Sequence, residues 1–346
     1  MKKHFADIFT KQPDEIIDGD FYYHDKQREN RIEAIEKARA ESRGHTLEEQ
    51  LKYREKSIKE EFMPHWECTS CNSRHAQFYP ALATDEAKEM IAKIAAEGEP
   101  FMDIASSYSM GLAAYVVKEN PKIPCLITDI DELGMKCLRS CINEHLPEYS
   151  VSIAYMDDND MPLKDESFKY VTSLNGISSC FDRNEDGTPL FDPYQASLYK
   201  EKVINEAYRV LKPGGYLVVL EMNFAFEYDL QEICENRDDD GKVFGTYTYD
   251  EMEAVCKLIK ESPWREKFIA AGFEVVTERE HRQKSSQQIP NFLRYFTDVN
   301  GIYNWDDPSA GWQNGHMSAA ADDDYNSGFD LYSTSTFFVL RKPNNT

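Results

Sequence analysis

Residues 101–111 read FMDIASSYSMG, and their pattern gives the clearest indication of how this chain folds. The first five of these residues are mostly apolar and have the length of a short buried strand. A run of small residues follows, and a helix is predicted from Gly111 to residue 119. A strand that leads through a tight turn into a helix is typical of proteins in which helices cover a parallel sheet.

The same alternation continues on both sides of this stretch. A helix begins after Thr84, whose hydroxyl suits the cap position, and ends at Gly98. Other strands are predicted at 125–128, 151–154, 170–173, 216–220, 273–276 and 334–341, and other helices at 131–145 and 195–211. Strands that alternate with helices imply right-handed crossovers and a mainly parallel sheet with both faces covered. The sequence therefore predicts an α/β fold of three layers.

Polar side chains follow four of the predicted strands. Because an open parallel sheet binds ligands beyond the carboxyl ends of its strands, we expect these side chains to border one site. A carboxylate about 20 residues beyond a turn of small residues, as Asp129 is, can accept two hydrogen bonds from a ribose. The polar residues after the strands are Asp103, Asp129, Asp131, Asp157, Asp158 and Asn175.

Four segments resemble the class I S-adenosylmethionine-dependent methyltransferases, especially the group that acts on small molecules. The segments are residues 101–111, 127–131, 156–171 and 206–217. The last is the most specific, since Pro213 stops a helix and two glycines turn the chain into a buried strand. The resemblance implies a three-layer Rossmann-like sheet, mainly parallel with a late antiparallel strand. It covers about 80–280 and, by order, the last strand at 334–341, and it says nothing of 1–75 or 283–333. We therefore expect a methyltransferase domain at 81–346 with an aromatic-rich insertion at about 283–333, after a helical N-terminal extension at 1–80.

The resemblance also implies roles for particular residues. Asp129 would hold the ribose of S-adenosylmethionine, with Asp131 as a second candidate, and Asn175 would line the methyl-transfer region. Three small residues stand where the family usually has glycines, which implies some strain or a shifted turn. Those three are Ala105, Ser107 and Ser109. Besides Asp129 and Asn175, the implied cofactor residues are Asp103 and Ala105 at the methionine moiety, Ser107 in the same turn, and Asp157 with the backbone of Asp158 at the adenine.

The implied reaction is in-line transfer of a methyl group to a small-molecule acceptor. Two alternatives remain open: a protein methyltransferase, whose acidic surface would suit a basic partner, and a non-catalytic binding or regulatory module. A general base is needed only for a protonated acceptor. The candidates for that base are weak, and they are Tyr108, His24 and Tyr22. The insertion at 283–333 is either an acceptor pocket or a self-packed loop.

Composition narrows the class of partner. Acidic residues number 62 and basic residues 39, so the formal net charge is −23. Such a surface repels phosphate backbones and anionic lipid, which argues against nucleic acid and membrane partners. The N-terminus shows no signal peptide and no apolar stretch reaches about 20 residues. We therefore expect a cytoplasmic protein whose eight cysteines are reduced thiols, with a homodimer as an open alternative.

Two further patterns precede the main domain. Residues 28–62 carry a sparse apolar stripe broken at Gly44, which predicts two helices that pack on the domain, with a lid or a dimerisation arm as alternatives. Next comes a single Cys-x-x-Cys flanked by two histidines. Tetrahedral zinc, a redox role and plain thiols are all compatible with one such pair. Its residues are His65, Cys68, Cys71 and His75.

Overall fold

A single mixed sheet organises the computed structural model, which describes residues 4–70, 80–179, 193–226, 264–284 and 331–344. Within those ranges the sheet has nine strands in the order β1-β2-β5-β4-β3-β6-β7-β9-β8. The strands are β1 Glu15–Ile17, β2 Asp20–Tyr22, β3 Phe101–Asp103, β4 Cys125–Asp129, β5 Val151–Tyr155, β6 Phe168–Leu174, β7 Leu211–Phe226, β8 Glu274–Lys284 and β9 Leu331–Arg341.

The strand directions confirm the predicted sheet. β3 pairs in parallel with β4 and β6, while β5 joins β4 and β7 joins β6 in the same sense. β9 lies antiparallel between β7 and β8, and it is the predicted late antiparallel strand. The carboxyl ends of β3, β4, β5 and β6 therefore meet at one edge of the sheet, where ligands bind in open sheets of this kind.

Helices cover both faces, and their ends follow local sequence signals. The Thr84 hydroxyl accepts a hydrogen bond from the backbone N–H of Ala87, and Gly98 ends that helix in a left-handed conformation, as predicted. The helices are α1 Lys26–Ser42, α2 Leu47–Ser70, α3 Asp85–Glu97, α4 Ala113–Glu119, α5 Glu132–His145, α6 Gly176–Ser179, α7 Pro193–Val210 and α8 Trp264–Ala270. None of the helices in the described ranges is both long and apolar enough to cross a membrane.

Two apolar cores flank the central strands. In β4, Ile127 packs with the cluster that includes Ile94 of α3 and Leu138 of α5. Its neighbour Leu126 packs on the opposite face, in the cluster that contains Val203 of α7. Alternate residues of one strand thus enter different cores, because successive side chains point to opposite faces of a sheet. The three-layer prediction is confirmed.

The segment before α1 differs from the predicted helical extension. β1 and β2 form an antiparallel hairpin, and β2 continues the main sheet by pairing in parallel with β5. Asp20 anchors this hairpin, because its carboxylate accepts two hydrogen bonds of 2.6 Å from Arg139 of α5 and one of 2.9 Å from the N–H of Ile153. Strands of three residues are too short to show a period in the sequence, so the hairpin was missed.

α1 and α2 follow as predicted, with Gly44 in the turn between them. α2 packs against α5, α4 and the short 3₁₀ turn Ser107–Ser109. The N-terminal helices therefore lie on the main domain beside the carboxyl edge of the sheet.

Replacement of Asp20 by alanine is expected to destabilise the fold by about 3 kcal/mol, because it leaves the Arg139 guanidinium without its partner in a mostly buried position. Urea denaturation measures this loss of free energy of unfolding. Asp18→Asn in the same hairpin is the matched control, since Asp18 is exposed and asparagine tolerates its left-handed backbone. Equal stability of the two variants would contradict the anchoring role.

Candidate functional site

The first loop, residues 104–112, connects β3 to α4 at the carboxyl edge of the sheet. Ala105 and Ser107, which stand where the resemblance places glycines, have φ angles of 49° and 52°. This left-handed conformation costs a residue with a side chain roughly 1–2 kcal/mol. The strain expected from the missing glycines is therefore present at two of the three positions, while Ser109 does not share it.

Asp103, the last residue of β3, stabilises this loop through hydrogen bonds. Its carboxylate is fully buried and accepts hydrogen bonds from the hydroxyl of Ser106 at 2.6 Å, the hydroxyl of Thr172 at 2.5 Å and the N–H of Ala113 at 3.0 Å. Burial raises the pKa of Asp103 to about 7, although the bonds from Ser106 and Thr172 favour the charged form. The geometry thus joins β3, β6 and α4, and the contact with the methionine moiety stays a prediction.

Asp129 ends β4 and remains partly exposed at the rim. Its Oδ2 atom accepts a hydrogen bond of 2.8 Å from the N–H of Ser107, and its Oδ1 atom accepts one of 2.9 Å from the N–H of Asp131. Burial and the charge of Asp131 raise the pKa of Asp129 to about 6. The carboxylate is held rigidly, and each oxygen retains a second lone pair for a ligand hydroxyl.

Asp131, the second ribose candidate, is engaged elsewhere. Its side chain caps α5 by accepting the N–H of Gly134 at 3.0 Å, and it forms an ion pair with Arg54 of α2. Arg54 also bonds Glu36 of α1 at 3.1 Å. Between the two acids lies Ile130, an apolar side chain that is 38% exposed. The sequence analysis did not identify Ile130 or Arg54. The exposure of Ile130 and the contact of Arg54 with a distant segment both depend on the fold, and neither produces a recognisable sequence pattern.

The third loop follows β5 and supplies two more acids. Asp157 is half-buried, and its Oδ1 atom accepts the N–H of Asn159 at 3.1 Å. Asp158 is only 4% exposed, and its Oδ2 atom accepts the N–H of Ala105 at 2.8 Å. Burial raises the pKa of Asp158 to about 8, and the neighbouring charge of Asp129 adds to the effect. Burial therefore favours the protonated form of the Asp158 carboxyl.

The fourth loop follows β6 and packs against the first loop. Asn175 has a φ of 54°, and its N–H donates to the carbonyl of Leu220 at 2.7 Å. A Cβ atom at Gly176 would come within 2.8 Å of Ala105 Cβ and 2.9 Å of the Ile104 carbonyl oxygen, so only glycine allows this approach. The structure thus brings the predicted residues Asp103, Ala105, Ser107, Asp129, Asp158 and Asn175 together around one loop.

The weak candidates for a general base are not brought together. Tyr108 lies in the first loop, where its hydroxyl donates to Glu61 of α2 at 3.2 Å, and burial together with Glu61 raises its pKa far above the ordinary value. His24 and Tyr22 lie at the end of β2, and β5 and β4 separate them from β3. His24 is exposed and bonds Glu29 at 2.6 Å. None of these contacts prepares a base beside the first loop.

The predicted metal candidates are only partly visible. His65 of α2 lies with its ring centroid 6.4 Å from that of Tyr108. The backbone of Cys68 belongs to α2, and Cys71 and His75 fall outside the described residues, as does most of the aromatic insertion at 283–333. In the part of the chain that is described, no three histidine, cysteine or acidic side chains are placed to hold a metal ion. The zinc alternative stays a prediction.

The sheet order and the acid-lined loops define an α/β domain with a cluster of acids at the carboxyl edge of its parallel strands. Residues 106–219, from the first loop into β7, match a family described as a methyltransferase domain. The C-methyltransferase UbiE of ubiquinone and menaquinone biosynthesis from Acidiphilium cryptum is 30% identical over 100 residues. That match covers 29% of this chain and 33% of the relative, so the chain spans about a third of that protein's length.

Solved structures of similar chains were also found. The cyclase SpnF is 17% identical with a TM-score of 0.40, and the match covers 75% of this chain and 82% of SpnF. The YcgJ protein of Bacillus subtilis is 12% identical with a TM-score of 0.41, covering 75% of this chain and all of YcgJ (100%). Because these scores are low, the fold assignment depends on the strand order. The match of residues 106–219 to a methyltransferase domain agrees with the strand order and with the resemblance seen in the sequence.

The stability of the protein is expected to fall as the pH rises from about 5 to about 8. Asp103, Asp129 and Asp158 bind protons more tightly in the folded chain than in the unfolded chain, where an aspartate has a pKa of about 3.9. Urea denaturation across this range measures the slope. Asp158→Asn should flatten it and exposed Asp160→Asn should not; a stability that rises with pH would contradict the buried, protonated acids.

Gly111→Ala is expected to destabilise the fold by more than about 2 kcal/mol, because a Cβ atom there would lie 2.2 Å from Asp103 Oδ1 and the residue has a φ of 52°. Gly44→Ala is the matched control. Its φ is 66°, and a Cβ atom would meet nothing within 4 Å. The difference between the two variants in urea denaturation isolates the clash with Asp103, and equal losses would show that the first loop moves aside.

Proposed function

We propose that this protein transfers the methyl group of S-adenosylmethionine to a small-molecule acceptor by in-line displacement. The observation that carries the proposal is the Asp129 carboxylate. It is partly exposed at the carboxyl edge of the sheet, held by two backbone N–H groups, and adjacent to the exposed apolar side chain of Ile130. A fixed hydrogen-bond acceptor beside an apolar side chain suits a ligand in which a ribose is joined to a planar base.

The residues around the first loop fit this cofactor. Asp129 would accept the ribose hydroxyls, while Ile130 and the half-buried Asp157 would border the adenine. The buried Oδ1 atom of Asp158 has no hydrogen-bond partner among the described residues, which marks polar capacity at this end of the site. Asp131 is a weaker ribose ligand than Asp129, because its carboxylate already caps α5 and pairs with Arg54.

S-adenosylmethionine supplies an electron-poor methyl group on a sulfonium, which is the difficult part of the chemistry. The protein's own contribution is to position the cofactor and the acceptor relative to each other. The hydrogen bonds of Asp103, Asp129 and Asp158 to the first loop keep that loop in one conformation. Two reactants that are held in the correct orientation react faster for that reason alone. Asn175 lies beyond β6 on the side where the acceptor would approach.

Two features support a small acceptor. α2 packs over the 3₁₀ turn Ser107–Ser109, with Arg54 bound to Asp131 and Glu61 bound to Tyr108, so the first loop is covered rather than open to a folded protein surface. The net charge of −23 disfavours nucleic acid and anionic lipid as acceptors. Burial and Glu61 raise the pKa of Tyr108, which makes this residue a poor general base beside the first loop.

Isothermal titration with S-adenosylmethionine tests the cofactor site. Asp129→Ala is expected to weaken binding at least about tenfold, since hydrogen bonds to a charged group contribute roughly 1.5–3 kcal/mol. Asp160→Ala, which removes an exposed acid from the third loop, should bind like the parent protein. Unchanged affinity in a folded Asp129→Ala variant would refute the ribose role.

Turnover separates the acceptor classes. The protein is incubated with S-adenosylmethionine and either a small-metabolite extract or the protein fraction of the same cells, and S-adenosylhomocysteine is quantified. We expect product with the metabolite extract. Product with the protein fraction alone would support a protein methyltransferase, and saturable binding without turnover on either fraction would support a non-catalytic module.

A further inference from the structure

We propose that the Asp158 side chain is a positioning residue that holds the first loop in its left-handed conformation, in place of the glycine expected at position 105. Asp158 Oδ2 accepts the Ala105 N–H at 2.8 Å from a loop 53 residues away in sequence. The inference depends on the proposed function, because the conformation matters for the S-adenosylmethionine that the first loop would face.

The backbone of the first loop shows why a clamp is needed. Three of its residues with side chains are left-handed, Ala105, Ser107 and Met110. The first two donate their N–H to a carboxyl group, whereas Met110 donates to the carbonyl of Ser107 at 3.4 Å. Ser107 donates to Asp129, which is also the proposed ribose ligand. Ala105 donates to Asp158, which is almost completely enclosed and has no second task at the rim. Glycine would adopt this conformation without such a partner.

The surroundings of Asp158 favour its neutral form. Its charged neighbours are Asp129 from β4 and Asp157 from its own loop, and both oppose a further negative charge. A hydrogen bond from Thr128 acts the other way and favours the charged form, but burial has the larger effect. Oδ2 accepts from Ala105, while the buried Oδ1 has no hydrogen-bond partner among the described residues. A proton on Oδ1 leaves Oδ2 free to accept from Ala105 and removes the buried charge.

The position of Ala105 also affects the fourth loop, which carries Asn175. Ala105 Cβ lies where any side chain at Gly176 would collide with it, so a shift of Ala105 would disturb the turn that carries Asn175. Asp158 thus connects the adenine side of the site to the methyl-transfer side through one hydrogen bond. Loss of that bond would leave the first loop in its binding form only part of the time, and apparent affinity falls by that fraction.

The test compares Asp158→Ala, Ala105→Gly and the double variant by titration with S-adenosylmethionine. We expect Asp158→Ala to bind about tenfold more weakly and the double variant to return to within about threefold of the parent, because glycine needs no clamp. Asp160→Ala is the control in the same loop. Unchanged affinity of Asp158→Ala, or a double variant as weak as Asp158→Ala, would overturn the proposal, since a merely structural role would not be rescued by glycine.

Amide exchange of Ala105, followed by NMR on isotope-labelled protein without cofactor, separates this inference from the proposed function. Asp158→Ala should accelerate exchange at least about tenfold, and exchange as slow as in the parent would overturn the clamp whatever the protein binds. A parent protein that binds no S-adenosylmethionine would refute the proposed function and leave exchange to decide the clamp. If Asp158→Ala does not fold, Asp158→Asn, which keeps one acceptor oxygen, should preserve slow exchange; fast exchange in it would overturn the proposal.

Discussion

The hydrogen bonds that carboxyl groups accept from the first loop are the constraint on which the site depends. Three strands each end near an aspartate, and each aspartate binds a different part of the loop: Asp103 the start of α4, Asp129 the N–H of Ser107, and Asp158 the N–H of Ala105. A loop of small residues has little apolar surface to bury, so packing alone would not hold it. Its shape instead depends on acceptors that the rigid sheet places around it.

This arrangement has an electrostatic consequence. Three carboxyl groups share a buried region, and burial raises the pKa of each. Arg54 supplies positive charge from α2, but it pairs with Asp131 and Glu36. Burial acts to lower the pKa of Arg54, and the charges of these two acids outweigh that effect and raise it. Burial therefore favours protonation of the three carboxyl groups, which lowers the negative charge of the region. That solution differs from an ion pair, in which both partners stay charged.

The sequence predicted the central domain because its signals are local. The helix from Thr84 to Gly98 has a hydroxyl cap and a terminal glycine, and strand β4 is an apolar run with an acid at its end. The start of β7 was harder to predict from the sequence. Strand β7 begins at Leu211, directly after α7, so the turn predicted before residue 216 lies inside the strand. There the partner of β6 changes from Leu211 at Phe168 to Tyr216 at Tyr170, and Gly214 has a φ of 74°.

What the sequence could not show depends on contacts between distant segments. The hairpin at 15–22 owes its place to Asp20, whose partners Arg139 and Ile153 lie more than 100 residues away. Arg54 meets Asp131 across 77 residues. Asp158 was assigned to the adenine side through its backbone, because a sequence gives no direction for a side chain. Its contact with Ala105 exists only because β5 and β3 both flank β4.

The same geometry explains how a loop without its usual glycines can serve a cofactor site. A glycine-rich loop reaches a left-handed conformation freely but also leaves it freely, since glycine has more backbone conformations to lose. Ala105 and Ser107 start from a less favourable conformation, and the carboxyl groups that bind their N–H groups offset that cost. The outcome is a loop that is strained but fixed. For a site that accelerates a reaction mainly by orientation, a fixed loop is the more useful property.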